Sequence, residues 1–363
     1  MQRSTLYDVH KALGATFAES GGWELPQHFG NVEAEYHAVR QHVGLCDLSH
    51  RGLVRITGTD RQRFLHAMVS NDTEHLQPGQ GCYATFLTNK GKLIADFVVY
   101  ADTDAYWLDF EPQMAQPFVD AIDFFVIADD VTFTDETANW GLLSLQGPEA
   151  ADLLILAWGQ ELPELPPYAH LSCQLAGHGV RLIRRSHTGE EGYQLLAPLD
   201  TLPAIWDGLW QHRDMCDARA VGLDALDILR IEAGIPLLGR DMTDETIPLE
   251  ANLLDAISYT KGCYIGQEVI SRIDARGHVN RQLRGLVLEG DPLPQSGDVI
   301  LSPDREVGWI TSVAHSPTLQ QNIAMGYIRR EVFTPGTHLE VRTGDAILGA
   351  TVVELPFIKS AVS

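Results

Sequence analysis

The order of hydrophobic and polar residues predicts a chain that begins with mixed helices and strands. Leu6, Val9 and Leu13 recur at helical spacing, so they would share the buried face of a first helix. The segment 21–26, which contains two glycines and a proline, predicts an irregular loop. A further stretch, 33–43, predicts a second helix that a glycine ends.

Between residues 53 and 134 the pattern predicts elements in the order β-α-β-β-β-α-β. Two strand-like runs, 82–88 and 92–100, flank Asn89-Lys90-Gly91, which is a hairpin signal. Such an order is typical of helices packed on a mainly antiparallel sheet. Further along, the pattern predicts strands over 142–146, 180–184 and 192–196 and helices over 199–210 and 221–233.

The pattern changes after Gln282, where glycine, proline and aspartate turns separate short apolar runs. The runs are 285–288, 308–313, 323–328, 338–341 and 347–353. Short strands separated by turns predict a small antiparallel β-barrel or sandwich of Greek-key type. We therefore expect an α+β protein with two domains, residues 1–280 and residues 281–363.

The composition excludes several classes of function. The chain has 363 residues, of which 45% are hydrophobic and 21% charged, which suits a soluble globular protein with a sizeable core. Its formal net charge of −23 would repel a phosphate backbone, so nucleic acid is not expected as a partner. No apolar run approaches the ~18 residues of a membrane span, and no secretory signal follows Met1, so no membrane contact is expected.

The cysteines indicate a reducing compartment. There are five, and no two of them form a C-x-x-C pair: Cys46, Cys82, Cys173, Cys216 and Cys263. An odd, scattered set argues against a disulfide framework, a structural zinc site and an iron–sulfur cluster held by this chain alone. We expect a cytoplasmic protein without a metal site.

Asp96 is a candidate functional carboxylate because its neighbours in the predicted strand 93–99 are almost all apolar. A carboxylate in such a strand is rare unless it is paired or functional. The residues alone leave both interpretations open.

Another candidate is the thiol in Lys261-Gly262-Cys263-Tyr264-Ile265-Gly266-Gln267-Glu268. The two glycines permit a tight turn, and a neighbouring ammonium would lower the pKa of Cys263 and favour the thiolate. The alternative is an ordinary buried cysteine in a glycine-flanked turn.

The run 261–268 resembles the K-G-C-Y-x-G-Q-E motif of the YgfZ family, folate-binding proteins linked to iron–sulfur cluster assembly. That family belongs to the superfamily of the glycine-cleavage T-protein, an aminomethyltransferase. Three further runs resemble T-protein motifs: 44–50, 188–193 and 229–241. The resemblance implies a three-subdomain cloverleaf in which two interleaved α+β folate-binding subdomains precede a C-terminal antiparallel β-barrel.

The resemblance also implies roles for single residues. Asp96 would lie near folate N10, and the carboxylate of Glu190 would bind the pterin, although each side chain alone also fits a structural role. Arg230, Tyr264 and Arg284 would contribute to folate binding, while a structural ion pair with Glu232 is the alternative for Arg230 and a solvated barrel position for Arg284. Cys263 would be a second catalytic residue.

Three positions depart from the T-protein pattern. Arg51 stands where T-proteins usually have methionine, Ala95 where they commonly have a second aspartate, and His187 where they have tyrosine. These departures put part of the folate pocket in question.

Two functions follow from the resemblance, and we rank them in this order. The first is a YgfZ-type tetrahydrofolate-binding protein that handles one-carbon units and supports iron–sulfur client enzymes. The second is a folate-dependent aminomethyltransferase of glycine cleavage, or a related demethylase, served by a lipoyl carrier protein or a methylated amine. A folate sensor that only binds is a third, so enzymatic activity is favoured without being settled.

Overall fold

The computed structural model describes residues 1–359 and confirms an α+β fold. The helices are α1 (Tyr7–Ala12), α2 (Val32–Gln41), α3 (Arg61–Met68), α4 (Ala115–Asp123), α5 (Ala150–Trp158), α6 (Leu202–Trp210), α7 (Leu223–Glu232) and α8 (Gln267–Arg276). The first strands are β1 (Gln2–Arg3), β2 (Thr16–Ser20), β3 (Trp23–His28), β4 (Gly44–Asp47), β5 (Gly52–Thr57), β6 (Gly81–Leu87), β7 (Leu93–Ala101), β8 (Tyr106–Phe110), β9 (Thr132–Asp135) and β10 (Trp140–Gln146). The remaining strands are β11 (His170–Leu175), β12 (His178–Arg184), β13 (Gly192–Pro198), β14 (Arg219–Ala220), β15 (Arg281–Leu288), β16 (Val299–Ser302), β17 (Arg305–Ser316), β18 (Gln321–Arg329), β19 (His338–Thr343) and β20 (Ala346–Val353).

Two large sheets form the first part of the chain, and they are interleaved in sequence. One sheet has the strand order β6-β7-β8-β5-β9, and the other has the order β11-β12-β13-β10-β4-β14. Strand β4 precedes β5 in the chain but pairs with β10 of the other sheet. The interleaving that the resemblance implied is therefore present.

A shared hydrophobic core joins the two sheets and helix α7. Val98 and Trp107 of the first sheet, Leu142 and Leu196 of the second, and Leu229 of the helix belong to one buried cluster. Burial of such side chains stabilises the fold by about 1.5–3 kcal/mol each. The same packing holds β7 and α7 together where both line the cavity described below.

The C-terminal strands close into an antiparallel barrel in the order β15-β18-β17-β16-β19-β20. Alternate residues such as Ile300, Val341 and Val352 fill its interior. Strand β16 was not predicted, because only four residues form it and a register shift interrupts its pairing with β17. The barrel meets the first part of the chain through Ile231, which packs against Tyr327.

The prediction of an irregular loop over 21–26 is wrong. β2 and β3 form an antiparallel hairpin, and β1 pairs with β3 in parallel. Gly21 and Gly22 both have positive φ (59° and 84°), as a two-residue hairpin turn requires. Trp23 and Leu25 are buried and lie two residues apart, as on one face of a strand. This alternate spacing after the glycine pair is the sequence pattern that indicates the hairpin.

Helix α8 was also missed. The glycine-flanked turn before it ends at Gly266 in a left-handed conformation (φ 86°), and the helix starts immediately afterwards. Within residues 1–359, no helix combines the length and the apolar character needed to cross a membrane.

Candidate functional site

A cavity of about 820 Å³ lies where the two sheets, helix α7 and the loop after it meet. Its volume falls within the range of about 300–1,000 Å³ that is typical of small-molecule sites. Among residues 1–359, its wall carries nine charged residues: Arg51, Asp96, Glu111, Arg185, Asp224, Asp227, Arg230, Arg240 and Asp255. A ligand in this space would meet both signs of charge.

Asp96 is buried in β7 and lines this cavity, and one of its two oxygens lacks a hydrogen-bond partner among residues 1–359. The hydroxyl of Tyr83 donates to its Oδ2 at 2.6 Å, whereas Oδ1 has no hydrogen-bond partner among residues 1–359. Burial raises the pKa of Asp96 to about 6, with the charge of Glu111 adding to the rise and the Tyr83 hydrogen bond opposing it. The carboxylate is therefore largely ionised at neutral pH and close to the range in which it takes up a proton.

Tyr83 was not recognised from the sequence, although the hairpin register contains the signal. Thr85 of β6 lies opposite Asp96 of β7. Tyr83 is two residues before Thr85 on the same face, so it is a diagonal cross-strand neighbour within reach of the carboxylate. Its phenol fixes the orientation of Asp96.

Two arginines and two carboxylates form a charged cluster beside Asp96. Arg51 donates through Nε to Asp109 Oδ1 at 2.6 Å and through Nη1 to Glu111 Oε1 at 2.5 Å. Arg185 donates to the other oxygen of Asp109. Burial alone would raise the pKa of Glu111, yet the charge of Arg51 holds it below its ordinary value. Arg51 had been noted only as a departure from a motif.

Two neutral histidines accompany this cluster. Burial, together with the charge of Arg51, lowers the pKa of His50 to about 4. Burial and the charge of Arg185 lower the pKa of His187 well below its ordinary value. Nε2 of His187 lies 2.6 Å from the side-chain amide of Gln194, while Nδ1 of His50 has no partner in the described part of the chain.

Arg230 lines the cavity, but most of its N–H groups form hydrogen bonds with other residues of the protein. It donates to Asp241 at 2.5 Å, to Ser312 at 2.6 Å and to Asp227 at 2.8 Å. Asp241 also accepts from Thr311 at 2.6 Å. The buried Arg230–Asp241 ion pair thus ties α7 to the barrel strand β17 through Ser312 and Thr311, and the partner of Arg230 is Asp241 rather than Glu232.

Glu190 lies outside the cavity wall. Its carboxylate accepts from Nη1 of Arg40 at 2.5 Å, and Arg40 also donates to the buried Glu232. The hydroxyl of Tyr36 donates to Glu232 at 2.8 Å. The expected pterin ligand is therefore engaged in a network that joins α2, the 186–191 loop and α7.

The run 261–268 is not part of the cavity wall in residues 1–359. Cys263 is exposed, and Tyr264 is buried in a separate core cluster. Lys261 points its ammonium group at backbone carbonyls and donates to Val69 at 2.6 Å and to Asn71 at 3.1 Å. Burial lowers the pKa of Lys261 to about 8. The ammonium that we expected to activate the thiol is thus committed to carbonyl oxygens.

Arg284 is likewise absent from the lining residues of the described cavity. Its guanidinium lies 4.8 Å from the ring centroid of Phe333, against the barrel. Of the six predicted site residues, the cavity brings together Asp96 and Arg230, and it adds Tyr83, Arg51, Glu111 and Arg185.

Comparison with known proteins identifies the family to which this fold belongs. Residues 6–261 match the GCVT N-terminal domain, and residues 281–359 match the glycine cleavage T-protein C-terminal barrel domain. The chain belongs to the glycine-cleavage T-protein family. The aminomethyltransferase of Cutibacterium acnes is 33% identical over 99% of both chains. That of Symbiobacterium thermophilum is 32% identical over 99% of this chain and 98% of its own length.

A solved structure of a T-protein family member has the same fold. The glycine cleavage system aminomethyltransferase T from Bartonella henselae aligns with a TM-score of 0.90 at 26% identity, covering 99% of this chain and 98% of its own. The relatives carry the name aminomethyltransferase, so they favour the second of our two functions over the YgfZ type.

Proposed function

We propose that this protein is an aminomethyltransferase that passes a one-carbon unit to tetrahydrofolate bound in the central cavity. The observation that carries the proposal is Asp96, whose buried Oδ1 lacks a partner in the described chain while the side chain lines a cavity of folate size. A buried polar atom left without a partner costs free energy unless a ligand satisfies it. Membership of the T-protein family supports the assignment.

Tetrahydrofolate would supply nitrogen atoms that accept the carbon. Asp96 would orient that end of the ligand and stabilise positive charge as it develops there, because a fixed carboxylate in a low-dielectric site interacts strongly with a nearby cation. Tyr83 holds the carboxylate through its 2.6 Å hydrogen bond and is a positioning residue. Arg230 lines the same cavity, but its three nitrogens donate to Asp227, Asp241 and Ser312, so the proposal gives it a structural role.

The remaining residues implied by the resemblance lie outside this wall. Glu190, Tyr264 and Arg284 are engaged elsewhere in the described structure, so the proposal gives them no contact with folate. The donor of the carbon is proposed to be a lipoyl carrier protein, as the resemblance implies, with a methylated amine as the alternative.

The test is a transfer assay with the Asp96→Asn variant. The amide keeps the shape and removes the charge, so the transfer rate should fall by about 10²-fold or more while tetrahydrofolate affinity changes little. Asp244→Asn, an exposed carboxylate, serves as the control. Unchanged turnover in Asp96→Asn, or no calorimetric binding of tetrahydrofolate at millimolar concentration, contradicts the proposal.

The exposed thiol of Cys263 favours a second candidate, the YgfZ-type support of iron–sulfur enzymes. The test is complementation of a cell that lacks its own YgfZ protein. Rescue by the wild type and its loss in Cys263→Ser, with tetrahydrofolate binding intact, would support this function. Failure of the wild type to rescue removes it.

A further inference from the structure

Two guanidinium groups lie side by side in the cavity wall. Arg51 and Arg185 donate to the two oxygens of the same carboxylate, Asp109. Because those oxygens belong to one planar group, the two arginines are held close to each other. The side chain of Arg51 is 7% exposed and that of Arg185 is 11% exposed, so both are about nine-tenths buried.

The two arginines have more donors than the protein uses. A guanidinium carries five N–H groups. Arg51 gives one to Asp109 and one to Glu111, and Arg185 gives one to Asp109, in the hydrogen bonds of residues 1–359. His50, which also lines the cavity, has a buried Nδ1 without a partner among the same residues.

Arg230 in the same wall shows how a purely structural arginine differs. It donates to Asp227, to Asp241 and to Ser312 through three different nitrogens. Arg51 and Arg185 line the same cavity and leave more of their donors without a protein partner in residues 1–359. Directed donors of this kind match a planar carboxylate in two-point geometry.

The formal charges narrow the class of ligand. Arg51 and Arg185 are balanced by Asp109 and Glu111, and Asp96 adds one negative charge nearby. Asp96 would repel a simple anion, whereas in a zwitterion the ammonium group offsets this repulsion while the carboxylate binds the arginines. A small amino acid has both groups.

We propose that Arg51, Arg185 and His50 form an anion subsite that binds the carboxylate of a small amino acid beside the one-carbon acceptor. The inference rests on the proposed function for the identity of the acceptor. The carboxylate has two conceivable sources, a separate small amino acid or the glutamate tail of the folate itself, and the experiment distinguishes them.

The first measurement uses the full-length wild type and needs no variant. Glycine and methylamine share an ammonium group and differ in the carboxylate, so calorimetry should detect glycine and not methylamine. Detectable binding of both probes with the same affinity overturns the proposal, because the carboxylate would then contribute nothing.

The second measurement removes the subsite while keeping the charge balance. Arg51→Met combined with Glu111→Gln leaves Asp109 paired with Arg185. Glycine affinity should fall by about 10- to 100-fold, the loss of charge-assisted hydrogen bonds. Arg184→Met is the matched control, since that arginine donates to the carbonyl of Leu165 and does not line the cavity. If the double variant does not fold, Arg51→Lys retains a cation near Glu111 and should show a smaller loss.

The third measurement identifies the source. If the glutamate tail occupies the subsite, glycine does not bind, and the double variant weakens tetrahydrofolate but not a tetrahydropterin without a tail. That result keeps the subsite and assigns it to folate. Unchanged affinity of the double variant for both glycine and tetrahydrofolate overturns the subsite. A wild type that binds glycine and not tetrahydrofolate overturns the proposed function while the subsite stands.

Discussion

Two charged clusters face the same cavity, and their hydrogen bonding differs. In the first, Arg230 and Asp241 are buried together, and Asp241 accepts from Arg230, Thr311 and Ser312. In the second, Asp96 keeps one oxygen without a partner in residues 1–359. A saturated cluster joins parts of the fold, whereas an unsaturated one at a cavity wall is free to bind a ligand. The contrast separates the charged residues that stabilise the fold, Arg230 and Asp241, from the one that is available to a ligand, Asp96.

The largest expected effect breaks the scaffold cluster. Asp241→Ala removes the fully buried carboxylate partner of Arg230 and leaves the partly exposed Asp227 as its remaining ion-pair partner, so the free energy of unfolding should fall by about 3–5 kcal/mol. Denaturant unfolding measures the change. Asp244→Ala, in the same loop but exposed, is the control and should leave the unfolding midpoint unchanged. An equally stable Asp241→Ala protein would show that the ion pair is dispensable.

The next effect concerns Asp96 and depends on pH. Its pKa is about 6 in the folded protein against 3.8 in the unfolded chain, so the native state favours the protonated form. That stabilisation is complete below about pH 3.8 and is lost as the pH rises through 6. Asp96→Asn should therefore gain stability relative to the wild type between pH 4 and pH 7, by an amount of order 3 kcal/mol. A stability difference that stays constant over this range would contradict the burial of the charge.

A smaller change in stability is expected for Glu190→Ala, and it shows whether Glu190 stabilises the fold or binds the ligand. Because its carboxylate accepts from Arg40, Glu190→Ala should lower the free energy of unfolding by about 1–3 kcal/mol and leave tetrahydrofolate affinity unchanged. Urea unfolding and calorimetry on the same samples give both quantities. The opposite result, unchanged stability with a tenfold loss of affinity, would place Glu190 at the pterin, as the resemblance implied.

The smallest effect on stability is expected at Cys263. Its thiol is exposed, whereas Cys46 and Cys216 are buried. Native alkylation should therefore modify Cys263 first, and Cys263→Ser should remove that fast phase without moving the unfolding midpoint. Mass spectrometry of the alkylated peptides identifies the residue. A fast phase that persists in Cys263→Ser would assign the reactive thiol to Cys82 or Cys173.

Local sequence patterns determined most of the secondary structure. The hairpin around Asn89-Lys90-Gly91, the helices at 33–43 and 221–233 and the β-rich C-terminal region depend on turn residues and apolar spacing within about ten residues. The burial of Asp96 could also be predicted, because its apolar neighbours are typical of a strand in the core. Membership of the T-protein family followed from four short motifs, but the comparisons do not support ranking the YgfZ type first.

What only the tertiary structure decided is the pairing of charges. Glu190 meets Arg40, which is 150 residues earlier in the chain, and Arg230 meets Ser312 of the barrel, which is 82 residues later. A motif shows that a charge is present, but its partner is chosen by packing between distant elements, and a paired carboxylate is no longer available to a ligand. For the same reason Lys261 appears in the sequence beside Cys263, yet its ammonium reaches the carbonyls of Val69 and Asn71. Position in the sequence therefore did not predict the partner of Lys261, because the fold brings backbone carbonyl oxygens of a distant segment within hydrogen-bond distance of its ammonium group.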